Sequence, residues 1–207
     1  MIKSIGFDLD GTLWDASEAT AQAWDMTLTG MNLKIPNAED VRGIMGRTPT
    51  DIVKTLLPSV DIETGLKLLD NCCDNQAAYI SKNGGQLFEG LEEVLSTLSK
   101  KYKLFIVSNC QDGYIDCFLE YHKLAKYFCD YECNGRTHLT KGENIVEVMK
   151  RKALTSAVYV GDTQGDYDGA KFAGIPFIYA AYGFGKISED VLQIQKITDL
   201  PKIVDAM

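Results

Sequence analysis

The sequence contains little that would take it to a membrane or to a nucleic acid. None of its apolar runs reaches the roughly 18 residues that cross a bilayer, and the first strand-like run begins without a signal-peptide pattern. Its 21 lysine and arginine residues are outnumbered by 29 acidic residues, giving a formal net charge of −8, and they form no basic cluster. Because nucleic acids and anionic membranes are bound by clustered positive charge, we expect neither as a partner and predict a cytoplasmic protein.

Cysteine pairs with the spacing of a metal site are also lacking. Of the six cysteines, Cys129 and Cys133 lie four positions apart, but no second pair follows them as it does in zinc sites. Thiols in the cytoplasm rarely form lasting disulfides. We therefore interpret the six cysteines as reduced packing residues.

What the sequence does contain is an alternation of short apolar runs with helix-like segments. Continuous apolar runs are typical of strands buried on both faces of a parallel sheet, and the helices between them cover those faces. The runs comprise residues 3–9, 103–109, 157–162 and 175–181.

The segment from Ala16 to Gly84 departs from this alternation, because its pattern is helical throughout and contains no convincing strand. We interpret it as an insertion between the first two strands. The sequence thus predicts an α/β protein, in which a doubly wound, Rossmann-like parallel sheet is formed by residues 1–14 and 85–207. A helical cap domain is predicted over residues 15–84.

Acidic residues follow two of the apolar runs. Asp8 and Asp10 follow the first, and Asp162 and Asp166 lie in the segment GDTQGD at the end of the third. Ligands of an open parallel sheet bind beyond the carboxyl ends of its strands, so these side chains are expected at one rim. Four neighbouring carboxylates repel one another, and a hard dication with oxygen ligands relieves that repulsion. The sequence therefore predicts a Mg²⁺ site formed by these four aspartates.

Such a site suits phosphoryl transfer, because a metal ion bridges carboxylate and phosphoryl oxygens. An aspartate is already ionised at neutral pH and needs no base to activate it, which makes Asp8 the predicted nucleophile. A second carboxylate close to it has a raised pKa and can first donate and then accept a proton. This is the role predicted for Asp10.

Phosphoryl oxygens also need hydrogen-bond donors and a fixed positive charge. The predicted phosphate-binding residues are Gly11, Thr12, Ser108, Asn109 and Lys141. Some of these features have a plainer interpretation when taken singly: Ser108 could cap a helix, and Lys141 could be a solvated surface residue. The acidic segment GDTQGD could likewise be a capped strand-to-helix turn.

Taken together, four motifs resemble the haloacid dehalogenase superfamily. They are DLDGT at residues 8–12, the strand ending in Ser108, the lysine at position 141, and GDTQGD at residues 161–166. The resemblance extends over nearly the whole chain and is specifically to phosphatases with a helical C1-type cap, the branch of phosphoglycolate phosphatase and β-phosphoglucomutase. One departure is Gly142, which stands where the family often has proline after the lysine.

The resemblance implies that Asp8 forms an aspartyl-phosphate and that Asp10 is the general acid and base. It also implies that Mg²⁺ is bound by the Asp8 carboxylate, the main-chain carbonyl of Asp10 and Asp162, with Asp166 as a direct or water-mediated ligand. Ser108 and Lys141 are then expected to bind the phosphoryl oxygens. A halide-displacing reaction is disfavoured, because the dehalogenase branch lacks a carboxylate at the position of Asp10.

We therefore expect a Mg²⁺-dependent phosphatase that hydrolyses a small phosphomonoester such as phosphoglycolate, a sugar phosphate or a nucleotide. A phosphosugar mutase and a non-catalytic module that binds phosphorylated metabolites are the alternatives. In the cap, Arg47 and Thr48 are predicted to contact the substrate, because a guanidinium can grip a carboxylate or a second phosphate, although a solvated arginine is the plainer interpretation. The chain is expected to be a monomer or a homodimer.

Overall fold

A computed structural model describes all residues of the chain, Met1–Met207. The strands are β1 (Ser4–Phe7), β2 (Trp14–Asp15), β3 (Gln86–Leu87), β4 (Lys103–Ser108), β5 (Phe128–Cys133), β6 (Ala157–Gly161), β7 (Phe177–Ala180) and β8 (Gln193–Ile194). The α-helices are α1 (Ser17–Leu28), α2 (Ala38–Arg42), α3 (Pro49–Leu56), α4 (Ile62–Asn83), α5 (Leu91–Leu98), α6 (Tyr114–Tyr121), α7 (Asn134–Thr137), α8 (Lys141–Arg151), α9 (Gln164–Ala173) and α10 (Leu200–Asp205). Two short 3₁₀ helices cover Ala125–Tyr127 and Ile197–Asp199.

Six of the strands form one parallel sheet in the order β5-β4-β1-β6-β7-β8. Alternate residues of β4 enter different cores: Leu104 and Ile106 belong to a cluster of 28 buried residues, whereas Phe105 and Val107 belong to a cluster of 8. Side chains of successive strand residues point to opposite faces, so both faces of the sheet are covered. The α/β class and the doubly wound parallel sheet expected from the sequence are confirmed.

The strand order determines where a ligand can enter. Counting only the six strands of this sheet in chain order, their arrangement is third, second, first, fourth, fifth, sixth, so the direction of winding reverses between β1 and β6. A crevice opens at the carboxyl ends of the strands on either side of such a reversal. Asp8 follows β1 and Asp162 follows β6, so the topology brings both to this crevice.

Two strands of the sheet are absent from the sequence prediction. The segment FCDYEC forms β5 at one edge of the sheet, and β8 forms the other edge with only two residues. Most residues of β5 are half-buried. An edge strand that is only partly covered needs no continuous apolar run, and polar residues within it hide the strand pattern.

Helices α1 to α4 lie between β2 and β3, and they have a buried cluster of nine residues of their own. The chain enters and leaves this helical part through β2 and β3, which pair antiparallel as a two-stranded ribbon. The sequence prediction of a helical stretch without strands agrees with these elements, while the division into two domains at residues 14/15 and 84/85 stays a prediction. The longest helix, α4, and all the others lack the combination of length and apolar character that crossing a membrane requires.

Candidate active site

Three carboxylates meet at the crevice between β1 and β6. Asp8 follows β1, Asp162 follows β6, and Asp166 lies in the first turn of α9. One oxygen from each lies within 4.8 Å of the others, and all three residues are buried. The carboxylate of Asp10, expected in the same group, is not part of it.

The position of Asp162 is fixed by a loop whose contact with this residue the sequence did not predict. The backbone N–H groups of Phe184 and Gly185 donate to Asp162 Oδ2 at 2.7 and 3.1 Å. A Cβ atom on Gly183 would overlap the carboxylate of Asp162 and the carbonyl oxygen of Gly11, so glycine alone fits there. The two glycines of the segment YGFGK were the available sequence signal for this loop. The donors themselves are backbone N–H groups, which every residue except proline has, so residue type does not identify them.

Asp166 is held by the start of its own helix. Thr163 is the N-cap of α9 and forms a capping box with Asp166, whose Oδ2 accepts the Thr163 N–H at 2.9 Å and the Asp162 N–H at 3.1 Å. The other oxygen, Oδ1, accepts a hydrogen bond from Lys141 Nζ. Both oxygens of Asp166 therefore have fixed partners.

Lys141 is buried between two of the acids. Its Nζ donates to Asp8 Oδ1 at 2.7 Å as well as to Asp166, and the side chain is only 6% exposed. The interpretation of Lys141 as a solvated surface residue is therefore wrong. Gly142, the departure from the family pattern, stands against the ring of Phe172, where a Cβ atom would lie 2.7 Å from the nearest ring carbon.

The electrostatics of this group show a deficit of positive charge. Burial, and next the charge of Asp166, raise the pKa of Asp8 well above its usual range, although Lys141 opposes the shift. Burial and the charge of Asp166 likewise raise the pKa of Asp162 to about 6. Burial alone would lower the pKa of Lys141, but Asp166 and Asp8 together raise it well above its usual value, so the lysine stays charged.

Three carboxylates beside one ammonium group leave two negative charges uncompensated. Carboxylate oxygens are hard ligands, and a hard divalent cation supplies the missing charge. The residues present therefore fit a divalent metal ion.

Asp10 lies beside this group and has a different environment. It is half-buried, and its Oδ1 accepts a hydrogen bond from the hydroxyl of Tyr114 at 3.0 Å. Burial raises the pKa of Asp10 to about 7, against the lowering effect of this hydrogen bond. A carboxyl group with such a pKa exchanges protons readily near neutral pH. Tyr114 was missed in the sequence because it belongs to none of the motifs, although it follows the one that ends in Ser108.

A cleft of about 370 Å³ connects these residues with the helical part. Of the residues expected at the site, it is lined by Asp8, Asp10, Ser108, Asn109, Lys141 and Arg47. Ser108 ends β4 and does not cap α6, whose N-cap is Gly113, so the capping interpretation is wrong. The structure thus brings three of the five predicted phosphate-binding residues to the cleft.

The other two predicted phosphate-binding residues have different partners. The N–H of Gly11 donates to the Trp14 carbonyl at 2.9 Å, and φ of Gly11 is +84° in a tight turn. The Thr12 hydroxyl is fully buried and donates to Asp162 Oδ1 at 3.4 Å. In this structure Gly11 shapes the turn and Thr12 contacts Asp162, and phosphate contacts by these two residues stay a prediction.

The two predicted cap residues also differ from each other. Thr48 is the N-cap of α3, and its hydroxyl donates to Asp51 Oδ2 at 2.8 Å, while a substrate contact by Thr48 stays a prediction. Arg47 is exposed, lines the cleft, and donates to the Thr55 hydroxyl at 3.3 Å. A Cβ atom placed on the neighbouring Gly46 would lie 3.7 Å from Thr163 Cγ2. The loop that contains Gly46 and Arg47 therefore lies over the acidic motif.

The fold and the site together define an α/β enzyme of the doubly wound class with an acidic centre at its topological switch point. The family model of haloacid dehalogenase-like hydrolases matches residues 5–180, and the chain belongs to this family. The family and the hydrolase class expected from the sequence are confirmed.

Relatives and solved structures agree with this assignment. Phosphoglycolate phosphatase from Escherichia coli (strain K12) is 26% identical, and the alignment covers 96% of this chain and 91% of that protein. A haloacid dehalogenase-like hydrolase from Streptococcus pneumoniae has a TM-score of 0.85 at 22% identity over 98% of both chains. A predicted phosphatase from Clostridium acetobutylicum has a TM-score of 0.81 at 24% identity over the full length of both.

Proposed function

We propose that this protein is a Mg²⁺-dependent phosphatase that hydrolyses a small phosphomonoester through an aspartyl-phosphate on Asp8. The observation that carries the proposal is the placement of Asp8 next to Lys141 and within reach of Asp162 and Asp166, with Asp10 in the same cleft. A nucleophile, a proton donor and a cation site are the parts that this reaction needs.

In the first step, a carboxylate oxygen of Asp8 attacks phosphorus, and the bond between phosphorus and the ester oxygen breaks. Asp10 donates its proton to the departing oxygen, which leaves as a neutral alcohol. In the second step, Asp10 accepts a proton from a water molecule that attacks the aspartyl-phosphate, and inorganic phosphate and free Asp8 are released. A pKa of about 7 at Asp10 suits both proton transfers.

The remaining charged and polar residues of the cleft position the phosphoryl group. Asp8, Asp162, Asp166 and the main-chain carbonyl of Asp10 would hold Mg²⁺, which neutralises phosphoryl charge when bound. Lys141 keeps Asp8 oriented and offers a fixed positive charge. Ser108 and Asn109 donate hydrogen bonds from the end of β4, and Arg47 faces the phosphoryl group from the cap side of the cleft.

The test is release of inorganic phosphate from a panel that includes phosphoglycolate, on which the named relatives act, together with sugar phosphates, nucleotides and p-nitrophenyl phosphate. We expect Mg²⁺-dependent release that a chelator abolishes and that Asp8→Asn lowers by at least about 10³-fold, because the nucleophile is removed. Asp190→Asn, at an exposed residue, is the matched control and should retain activity.

Failure of the folded, Mg²⁺-loaded protein to release phosphate from every ester would refute the proposal. Isomerised sugar phosphate without net phosphate release, followed by NMR, would identify the mutase reaction instead. Binding of the esters without either product would identify a non-catalytic module.

A further inference from the structure

The cap side of the cleft is chemically unlike the core side. Its surface is formed mainly by Trp24, Ile44, Met45, Ile52, Leu69 and Cys73. They come from α1, α3, α4 and the loop between α2 and α3. Helix α4 contributes a single face, because Leu69, Cys73 and Gln76 are spaced by four and three positions.

The neutral polar groups of this surface are already bonded to one another. Gln76 Oε1 accepts the Trp24 indole N–H at 3.2 Å, and Gln76 Nε2 donates to the Thr20 hydroxyl at 2.9 Å. Gln76 and Thr20 are 5% and 1% exposed. These groups are satisfied within the cap, so a polar ligand would have to break existing hydrogen bonds to use them.

The charged groups of the cap surface cancel. Arg47 and Asp70 are its one basic and its one acidic side chain. Arg47 also borders the neighbouring outer groove with Asn109, Lys141 and Gly142, which places it at the phosphoryl end of the cleft. No cap cation remains for a carboxylate on the leaving group, and Asp70 would repel one.

We infer that the preferred substrate is a phosphomonoester of a neutral alcohol with an apolar, ring-sized carbon body, and that carboxylate-bearing esters such as phosphoglycolate are disfavoured. This inference rests on the proposed function and specifies its substrate class. The cleft volume of about 370 Å³ lies within the range of ~300–1,000 Å³ typical of small-molecule sites and exceeds what a two-carbon acid fills. Burial of the carbon body against the apolar surface supplies the binding energy.

A matched pair of esters isolates the effect of the carboxylate. Benzyl phosphate and para-carboxybenzyl phosphate share the ring and the bond that breaks, and phosphoglycolate adds the small acid. With the Mg²⁺-loaded full chain, we expect kcat/KM for benzyl phosphate to exceed that of both acids by about 10-fold or more, because the acids place a charge on an apolar, partly acidic surface. Equal or higher kcat/KM for either acid would overturn the inference.

Asp70 provides the matched variant. Asp70→Asn should raise kcat/KM for para-carboxybenzyl phosphate relative to benzyl phosphate by about 3- to 10-fold, because a like charge is removed. Asp74→Asn makes the same change one turn further along the exposed face of α4, outside the cleft lining, and should leave that ratio unchanged. An unchanged ratio in Asp70→Asn, or equal changes in both variants, would contradict the role of Asp70.

A binding measurement separates this inference from the proposed function. Phenethylphosphonate and phosphonopropionate are non-hydrolysable analogues of benzyl phosphate and phosphoglycolate, and calorimetry measures their affinity without turnover. We expect phenethylphosphonate to bind at least about 10-fold more tightly. Tighter binding of phosphonopropionate would overturn the inference, whereas absent phosphate release from every ester would reject only the proposed function.

Discussion

The two sides of the cleft differ in how their polar groups are used. On the core side, Asp8, Asp162 and Asp166 are buried and held by Lys141 and by backbone N–H groups, yet together they lack positive charge. On the cap side, the neutral polar groups of Gln76 and Thr20 are satisfied internally, and the remaining surface is largely apolar. The core side therefore offers the groups that can hold a cation and a phosphoryl group, whereas the cap side, apart from Arg47 and Asp70, offers mainly apolar side chains.

This difference indicates a division of tasks. In the proposed reaction, the buried charged cluster would act on the part that all phosphomonoesters share, while the apolar surface would discriminate among the alcohols that they carry. Changes on the core side should affect every ester through chemistry or metal binding. Changes on the cap side should depend on the ester, except at Arg47, for which we propose a contact with the phosphoryl group.

The largest effect after loss of the nucleophile is expected at the proton donor. Asp10→Asn should lower kcat for benzyl phosphate by about 10²- to 10⁴-fold, because an alkoxide leaves poorly without a proton. p-Nitrophenyl phosphate, with its acidic phenol, needs less assistance and serves as the internal control in single-turnover assays of aspartyl-phosphate formation. Equal losses for the two esters would show that Asp10 does not protonate the leaving group.

A smaller effect is expected at the loop that holds Asp162. Gly183→Ala adds a Cβ atom that overlaps Asp162 and the Gly11 carbonyl, so the carboxylate must move. We expect Mg²⁺ affinity, measured by calorimetry, to fall by about 10- to 100-fold, as is typical when a residue that orients a metal ligand is changed. Gly43→Ala, where the added atom meets nothing closer than 3.4 Å, is the control. Unchanged Mg²⁺ affinity would separate this loop from metal binding.

A substitution of Arg47 tests whether this cap residue binds the phosphoryl group or a carboxylate of the substrate. Arg47→Ala should raise KM by about 10-fold for benzyl phosphate and phosphoglycolate alike, because one charge-assisted hydrogen bond to the phosphoryl group is lost. Lys54→Ala removes a positive charge from the exposed face of α3, outside the cleft lining, and should leave KM unchanged. A selective loss of phosphoglycolate activity would instead assign Arg47 to the carboxylate.

The smallest effect is a shift in pH dependence. The hydrogen bond from Tyr114 lowers the pKa of Asp10, so Tyr114→Phe should raise that pKa above about 7. A general acid acts in its protonated form, which is lost as pH rises through its pKa. The alkaline limb of kcat for benzyl phosphate should therefore move to higher pH. Tyr127→Phe, which removes a hydroxyl bonded to Glu92, should leave the limb in place. A shift in the opposite direction would contradict the assignment.

Features with a local cause could be predicted from the sequence. The apolar runs before Asp8 and Asp162 indicated strands that end in acids, and the interpretation of GDTQGD as a capped strand-to-helix turn agrees with the N-cap at Thr163. These predictions depend on neighbours in the chain, which the sequence displays directly. Lys141 could be named as a source of positive charge, but its burial could not be predicted, because nothing near it in the chain distinguishes a buried lysine from an exposed one.

Features with a distant cause could not be predicted. Phe184 and Gly185 hold Asp162 through backbone N–H groups, which do not depend on residue type. Tyr114 donates a hydrogen bond to Asp10 from helix α6, which is distant from Asp10 in the chain. The hydroxyl of Thr12 has the chemistry of a phosphate ligand, but its burial against Asp162 assigns it another partner. Strand β5 was not predicted, because an edge strand tolerates polar residues and these interrupt the apolar pattern that indicates a strand.

The sequence by itself determined the α/β class, the acids of the core and their place at the strand ends, because apolar periodicity and acidic motifs are encoded in adjacent residues. The tertiary structure decided which of these acids share one buried site, which donors hold them, and that the helices α1, α3 and α4 line the cleft mainly with apolar side chains. The physical reason is that pKa values and selectivity arise from burial and from charges brought together across the fold, and neither is a property of any short segment.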